Sequence, residues 1–272
     1  MEVQLLSILL GLALNLLLAF VAWRMKWLTL SGSVAAFVVG FSVFWCTRFD
    51  GWLLLMLFFI TANILGKISR MITASVDLSM QKKGSQRDWI QVLANGALAA
   101  LSAMLFGIAK SDIALVMFGS AVAAATADTW SGEAGILSRK SPVSIVTGKP
   151  VPKGQSGGIT FLGTFSGLLG ALIISIAWYG AFADYSNRKW LYYASIITVS
   201  GFIGTVVDSL LGATLQGHYW DPEEKRITER EYKNGVRLQQ CRGIRWIDND
   251  AVNFLSGVFA VLAGCVLSII VD

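Results

Sequence analysis

Two aspartates stand inside sequence apolar enough for a bilayer, and both begin the same short pattern. "TADTWSGE" (126–133) and "VVDSLLGA" (206–213) share Asp-Thr/Ser-x-x-Gly, led by Asp128 and Asp208, with Gly212 closing the second copy. An ionisable group in hydrocarbon is costly, so it normally faces the bundle interior and marks a site. Glu133 follows five residues after Asp128. Such carboxylates are oxygen ligands suited to Mg²⁺, which prefers one or two of them together with substrate phosphates. Small residues flank both aspartates: Gly119, Ser120, Ala121 and Ala123 to Ala125 on one side, Gly201 and Gly204 on the other. Small side chains let helices approach closely, so Asp128 and Asp208 are expected to meet around a metal.

Further polar residues fall at helical spacing. Asn63 and Lys67 are four apart, with Arg70 a turn on; Arg87, Gln91 and Asn95 form a second stripe; Asp250, Asn253 and Gly257 form a third. Each set shares one helical face. Taken singly, Asn63 and Asn95 serve equally well as interhelical hydrogen-bonding glue, and Lys67 and Arg87 as anchors on the positive side of a membrane. Their convergence at one depth on five helices favours a polar cavity. The segment "VTGKPVPKGQSGGITFLG" (146–163) adds Gly148, Gly154, Gly157 and Gly158, which allow close backbone approach, and Lys149 and Lys153 as point charges. It leads into a helix N-terminus, where backbone amides favour anions. The GxxxxGK[ST] spacing of a Walker A loop is absent. His218 is the only histidine, so a histidine-clustered metal site is excluded, and it reads as a loop residue.

Positioning these groups requires membrane helices. The 272 residues are 55% hydrophobic and 14% charged, with a mean hydropathy of +0.62. Repeated apolar stretches of about 17–25 residues suit a hydrocarbon core of about 30 Å. The fold expected is all-α, one polytopic domain of about eight transmembrane helices, with six or seven as alternatives. Spans are expected near 3–23, 28–47, 51–66, 89–109, 112–130, 157–181, 191–216 and 250–270. The first reads as a transmembrane helix rather than a removable signal, having no basic n-region.

The loops test that count. Of the Lys and Arg residues, all but Arg48, Lys110, Arg188 and Lys189 fall in or beside loops of one parity. By the positive-inside rule those loops, including 67–88, 131–156 and 217–249, face the cytosol. The net charge of +5 is thereby explained without nucleic acid, which is not an expected partner. The 217–249 segment alternates acids and bases and reads as a solvated lid or hairpin. Cys46, Cys241 and Cys265 lack CxxC spacing, so neither a disulfide framework nor a zinc site is indicated.

"TADTWSGEAG", "TGKPVPKGQSGGITFLG", "VDSLLGATLQ" and "DNDAVNFLSG", with "LSGSVAAFVVG" (30–40) and "QVLANG" (91–96) earlier, resemble the membrane family of the plant phytyl-phosphate kinase of vitamin E synthesis and the animal transmembrane protein 19. That resemblance runs from about residue 28 to 270. It implies a kinase transferring a phosphoryl group from a nucleoside triphosphate, CTP by likeness to dolichol kinases, to an isoprenyl monophosphate. Carried over, Asp128 and Glu133 would be metal or catalytic carboxylates. Lys149, Lys153, Gly157 and Gly158 would contact phosphates. Asp208 and Gly212 would form a second half-site, and Asp250 and Asn253 would complete the pocket. Expected companions are Mg²⁺, the nucleotide and membrane lipid, with homo-oligomerisation left open. The membrane expected is the endoplasmic reticulum in a eukaryote or the plasma membrane in a prokaryote. A CDP-lipid-forming cytidylyltransferase and a transporter of an anionic or lipid-phosphate substrate are the rival readings.

Overall fold

The computed structural model describes residues 2–73 and 86–271; part of the expected 67–88 loop lies outside them. Its helices are α1 (Glu2–Arg24), α2 (Leu30–Ile72), α3 (Trp89–Ala109), α4 (Asp112–Ile136), α5 (Phe161–Phe182), α6 (Lys189–Thr214) and α7 (Asn249–Val271). All seven are long and apolar enough to cross a membrane. The 43 residues of α2 would extend about 65 Å if straight, twice a bilayer core.

That helix is folded back on itself. Arg48 has φ 60° and ψ −152°, and the two arms meet the same partner. A Cβ on Gly40 would lie 2.2 Å from Asn15 Oδ1, while Trp52 Nε1 donates to that same oxygen at 3.2 Å. Residues 40 and 52 of a straight helix would be about 18 Å apart. The reversal divides α2 into two arms, and the eight helical segments among the described residues follow the expected spans closely. Two helices run past their expected ends, to Ile72 and Ile136. Lys67 and Glu133 are therefore helical, and the loops expected to begin at 67 and 131 begin later.

At the centre is α4, packed against α2, α3, α5, α6 and α7. Ala121 to Ala127 are all buried along it, because alanine, threonine and glycine surfaces allow neighbours on every side. A Cβ on Gly201 of α6 would stand 2.6 Å from Ala123 Cβ, and one on Gly204 2.9 Å from Ala124 Cβ. Caps fix where helices begin at the Lys/Arg-rich end. Asp88 and Gln91 form a reciprocal capping box on α3, and Thr160 Oγ1 accepts from Gly163 N at 3.0 Å on α5.

Outside the bundle, β1 (Val143–Ser144) pairs with β2 (Gly158–Ile159), closing the glycine-rich segment into a turn. Residues after α6 build a cap. Strands β3 (His218–Asp221), β4 (Arg226–Thr228) and β7 (Gln239–Arg242) form an antiparallel sheet in the order β4-β3-β7, beside a hairpin of β5 (Tyr232–Lys233) and β6 (Val236–Arg237). Much of the apparent charge alternation is internal bonding. Lys233 Nζ reaches Asp221 at 2.7 Å and Glu224 at 2.8 Å, which holds the Asp221 carboxyl below the usual carboxylate range.

His218 is buried in β3, with Nδ1 2.8 Å from the Gln216 carbonyl. Burial holds its pKa below the ordinary 6.5, so the folded cap keeps the ring neutral. As pH falls below about 6.5 the unfolded chain takes up the proton first, so cap stability is full above that pH and erodes below it. Hydrogen exchange in β3 and β7, corrected for intrinsic rates, should show protection lost between about pH 7 and about pH 5. His218→Gln should flatten that dependence.

Candidate functional site

At the Lys/Arg-rich end the helices leave a polar cavity of about 290 Å³. Its walls come from the start of α3 (Arg87, Gln91, Asn95), the last turns of α4, the glycine-rich turn, α6 at Asp208, and the start of α7 (Asn249, Asp250, Asn253). Asp128 and Asp208 both line it and act electrostatically on one another. The reason lies one turn back on each helix, where Ala124 and Gly204 bring the α4 and α6 backbones together.

Neighbours hold Asp208 in place. Ser256 Oγ donates to Asp208 Oδ2 at 3.3 Å. Asn253, with its amide turned to donate, reaches the same oxygen at 3.1 Å and the Asn249 carbonyl at 3.2 Å. Asp250 is buried at the first turn of α7, lining the same space.

Glu133 belongs to a different part of the cavity. Five residues advance a helix by about 500°, leaving Glu133 about 140° around α4 from Asp128. It faces α2, where a Cβ on Gly66 would meet Glu133 Oε1 at 3.1 Å and Arg70 Nη1 at 3.5 Å, and it interacts electrostatically with Arg87. Its placement is that of a counter-charge to arginines rather than a partner of the two aspartates.

The glycine-rich turn is built as a close-fitting wall. Gly154 and Gly157 have φ of 81° and 78°, a region costly for residues with a Cβ. A Cβ on Gly157 would also lie 2.4 Å from Ala213 Cβ, and one on Gly212 3.2 Å from Gly157 N. Gly212 therefore seats the turn against α6 and does not line the cavity, whereas Gly157 and Gly158 do. Lys153 lines it too, but its Nζ donates to the Ser138 carbonyl at 2.6 Å and to that of Ile136 at 3.3 Å, closing off α4.

Three expected site residues stand elsewhere. Lys149 is exposed on the loop and not part of the cavity wall. Lys67 is exposed on the final turns of α2, and Asn63 Nδ2 bonds its own helix at the Phe59 carbonyl, 2.7 Å away. Neither Asn63 nor Lys67 is part of the cavity wall. Residues absent from the sequence reading are Thr129, Ser131, Gln155, Ser156 and Asn249 in the wall, and Glu229 of the cap, which accepts a hydrogen bond from Ser156 Oγ. Glu229 was hidden in a run of charges that looked solvated. The cap is thus tied directly to the glycine-rich turn, and Glu229 also acts electrostatically on Asp208.

The donor set suits a hard cation. Among the described residues no group of three or more His, Cys, Asp or Glu gathers as a metal cluster. Two neighbouring carboxylates are the one or two protein oxygen ligands that Mg²⁺ takes when phosphates and waters supply the rest. The lining carries Asp128, Asp208, Asp250 and Glu133 against Arg87 and Lys153. A phosphate brought to that acidic end meets repulsion of about 4 kcal/mol per charge pair at 4 Å and an effective dielectric of 20. A cation between the two removes it.

Comparison with known proteins places this arrangement among relatives. The family described as integral membrane protein DUF92 matches residues 13–261. Protein PGR of Arabidopsis thaliana is 30% identical over 260 residues, covering 88% of each chain. An uncharacterised membrane protein of Methanocaldococcus jannaschii is 32% identical over 240 residues, covering 86% of this chain and 92% of its own. The chloroplastic Protein VTE6 of Arabidopsis thaliana is 24% identical over 234 residues, covering 84% and 62%. No solved structure matches.

Proposed function

We propose that this chain, which belongs to the DUF92 family of integral membrane proteins, is a kinase that converts an isoprenyl monophosphate of phytyl type to the diphosphate at the expense of a nucleoside triphosphate. The observation that carries the reading is Asp128 beside Asp208 in an oxygen-lined cavity at one end of the bundle. The resemblance to the family of the phytyl-phosphate kinase supports the substrate class and CTP as the donor. A transporter would need comparable polar groups on the path to the opposite face. Beyond the Asp128 level, however, the buried residues of α4 carry no charge and are apolar or glycine except for the hydroxyls of Thr126 and Ser120.

In the transfer, an oxygen of the acceptor monophosphate attacks the γ-phosphorus. The bond from that phosphorus to the β–γ bridging oxygen breaks, and the nucleoside diphosphate leaves with the electron pair. The acceptor monoester is already a nucleophile, so no strong general base is required, and the neutral, buried His218 is no obstacle. Bound Mg²⁺, held by Asp128 and Asp208, would supply neutralisation of the phosphate charge. Arg87 holds the acceptor phosphate from the α3 side. The Gly154–Gly158 turn lets phosphates approach its backbone, and Ser156 anchors that turn to the cap. Asn253 and Ser256 fix the Asp208 carboxylate so that alignment, the main requirement of phosphoryl transfer, costs little at the moment of reaction. By the distribution of Lys and Arg, this end of the bundle faces the cytosol, where the nucleotide is.

Purified protein in nanodiscs, given CTP, Mg²⁺ and phytyl, geranylgeranyl, farnesyl or dolichyl phosphate, should yield the lipid diphosphate and CDP by mass spectrometry. Pyrophosphate and a CDP-lipid would instead identify a cytidylyltransferase. Folded protein that turns over no lipid with any nucleotide would end the kinase reading.

A further inference from the structure

A second, apolar cleft of about 70 Å³ lies between α1, both arms of α2 and the start of α3. Ala19, Ala36, Val39, Met56, Phe59 and Gly96 are among its walls. It exists because α1 and α3 each pack on α2 and scarcely touch one another, and because small residues keep the gap open. A Cβ on Gly96 would already press to 3.1 Å from Val39 Cγ1. Along α1 the cleft runs from Ala22 to Asn15, about 10 Å toward the middle of the membrane. At its deep end Asn15 donates to the Gly11 carbonyl at 2.8 Å and accepts from Trp52 Nε1 at 3.2 Å.

The cleft and the polar cavity share a wall. Arg87, Gln91 and Asn95 line both. Arg87 is held at this junction by its backbone, which donates to the Trp27 carbonyl and accepts from Thr29 N, each at 3.0 Å. A Cβ on Gly32 would strike the Arg87 carbonyl at 2.3 Å, so the turn between α1 and α2 is shaped around that segment. On one side of these three polar residues lies hydrocarbon-lined space; on the other lie Asp128 and Asp208. A molecule that fills both has a single apolar chain ending in an anionic head.

We infer that this α1–α2–α3 cleft is the tail slot for the lipid monophosphate, entered sideways from the bilayer between α1 and α3, with the phosphate stopping at Arg87, Gln91 and Asn95. The assignment rests on the kinase reading for the isoprenyl nature of the chain. It places the tail on the opposite side of the cavity from the glycine-rich turn, so the nucleotide and the lipid approach from different walls. Apolar lining recognises bulk rather than functional groups, so a slot of this size reads the isoprene units next to the phosphate and leaves the rest of the chain in the bilayer. Charge complementarity at its mouth selects a phosphate over the parent alcohol.

The test is photolabelling of the intact protein in nanodiscs with a geranylgeranyl monophosphate analogue carrying a diazirine partway along its chain. Adducts should map to α1, the α2 arms and α3 around Ala19, Ala36 and Phe59. Unlabelled phytyl phosphate should compete them away and phytol should not. Adducts on α5, α6 or α7, adducts that phytyl phosphate does not displace, or none at all, would overturn the assignment. In parallel, Ala36→Leu should lower kcat/KM for the phytyl substrate relative to dimethylallyl phosphate at least tenfold; an unchanged ratio in folded protein would count against the slot. The readouts separate the two claims. Competed labelling in the cleft without any diphosphate formed would sink the kinase and keep the lipid-phosphate slot, whereas turnover with adducts on other helices would do the reverse.

Discussion

Asn in place of Asp128 or Asp208 is expected to lower phosphoryl transfer by on the order of 10³-fold or more while leaving the protein as stable as before, or more so. The two carboxylates face one another among buried helices. Two carboxylates sharing one buried site are costly to keep ionised together, and an amide in place of either one removes that cost without changing shape. An aspartate kept for packing or ion pairing behaves in the opposite way, since its loss strands a partner and lowers the melting temperature. Thermal unfolding in nanodiscs and turnover, measured on the same preparations, therefore distinguish the roles. Added Mg²⁺ should raise the melting temperature of the parent protein, because a ligand that binds the folded state stabilises it by mass action. It should do so far less for Asp208→Asn. The double variant should be little worse than either single one, as expected of groups acting as a unit. A melting temperature that drops sharply in both variants, with turnover intact, would remove the aspartates from the mechanism.

How much of this was legible beforehand depended on whether a signal was local. The helical segments could be read because hydropathy is local, and α2 folding back at Arg48 divides the seven helices into the eight segments expected. The pairing of Asp128 with Asp208 could be read because a repeated pattern and small residues at helical spacing are both visible in one dimension. Orientation about a helix axis was harder. Glu133 looked like a companion of Asp128 until α4 was seen to continue to Ile136, which turns it toward Arg70 and Arg87. Asn63 and Lys67 share helical spacing with Arg70 and yet are not part of the cavity wall. Tertiary contacts between distant segments were out of reach: Lys153 closing α4 and Glu229 bonding Ser156 join residues 15 and 73 positions apart. The lone histidine reads as a loop residue from sequence but stands in strand β3, since burial in a small sheet leaves no periodic trace.

Gly204→Ala is expected to cost roughly 10²-fold in turnover although it alters no polar group and touches no substrate. The added Cβ would stand 2.9 Å from Ala124 Cβ, too close for that contact to persist, and 3.1 Å from Ala260 Cβ, which a few tenths of an ångström would relieve. Helix α6 must therefore shift away from α4 and α7. Gly204 is one turn before Asp208, and Ala124 one turn before Asp128, so the strain is transmitted to the separation of the two carboxylates with almost no lever arm. A displacement near 1 Å at a site that works by alignment is enough for that loss. Overpacking also carries a stability cost of about 1–3 kcal/mol, so a fall in turnover alone would be ambiguous. Ala124→Gly in the same chain resolves it. Removing the nearest methyl makes room for the new one and should restore much of the activity, leaving only the milder Ala260 contact. A compensation of that kind requires the α4–α6 spacing itself to set the geometry of the aspartate pair. Independent losses that merely add would mean that the carboxylates find their positions in some other way, and the small residues would then be packing and nothing more.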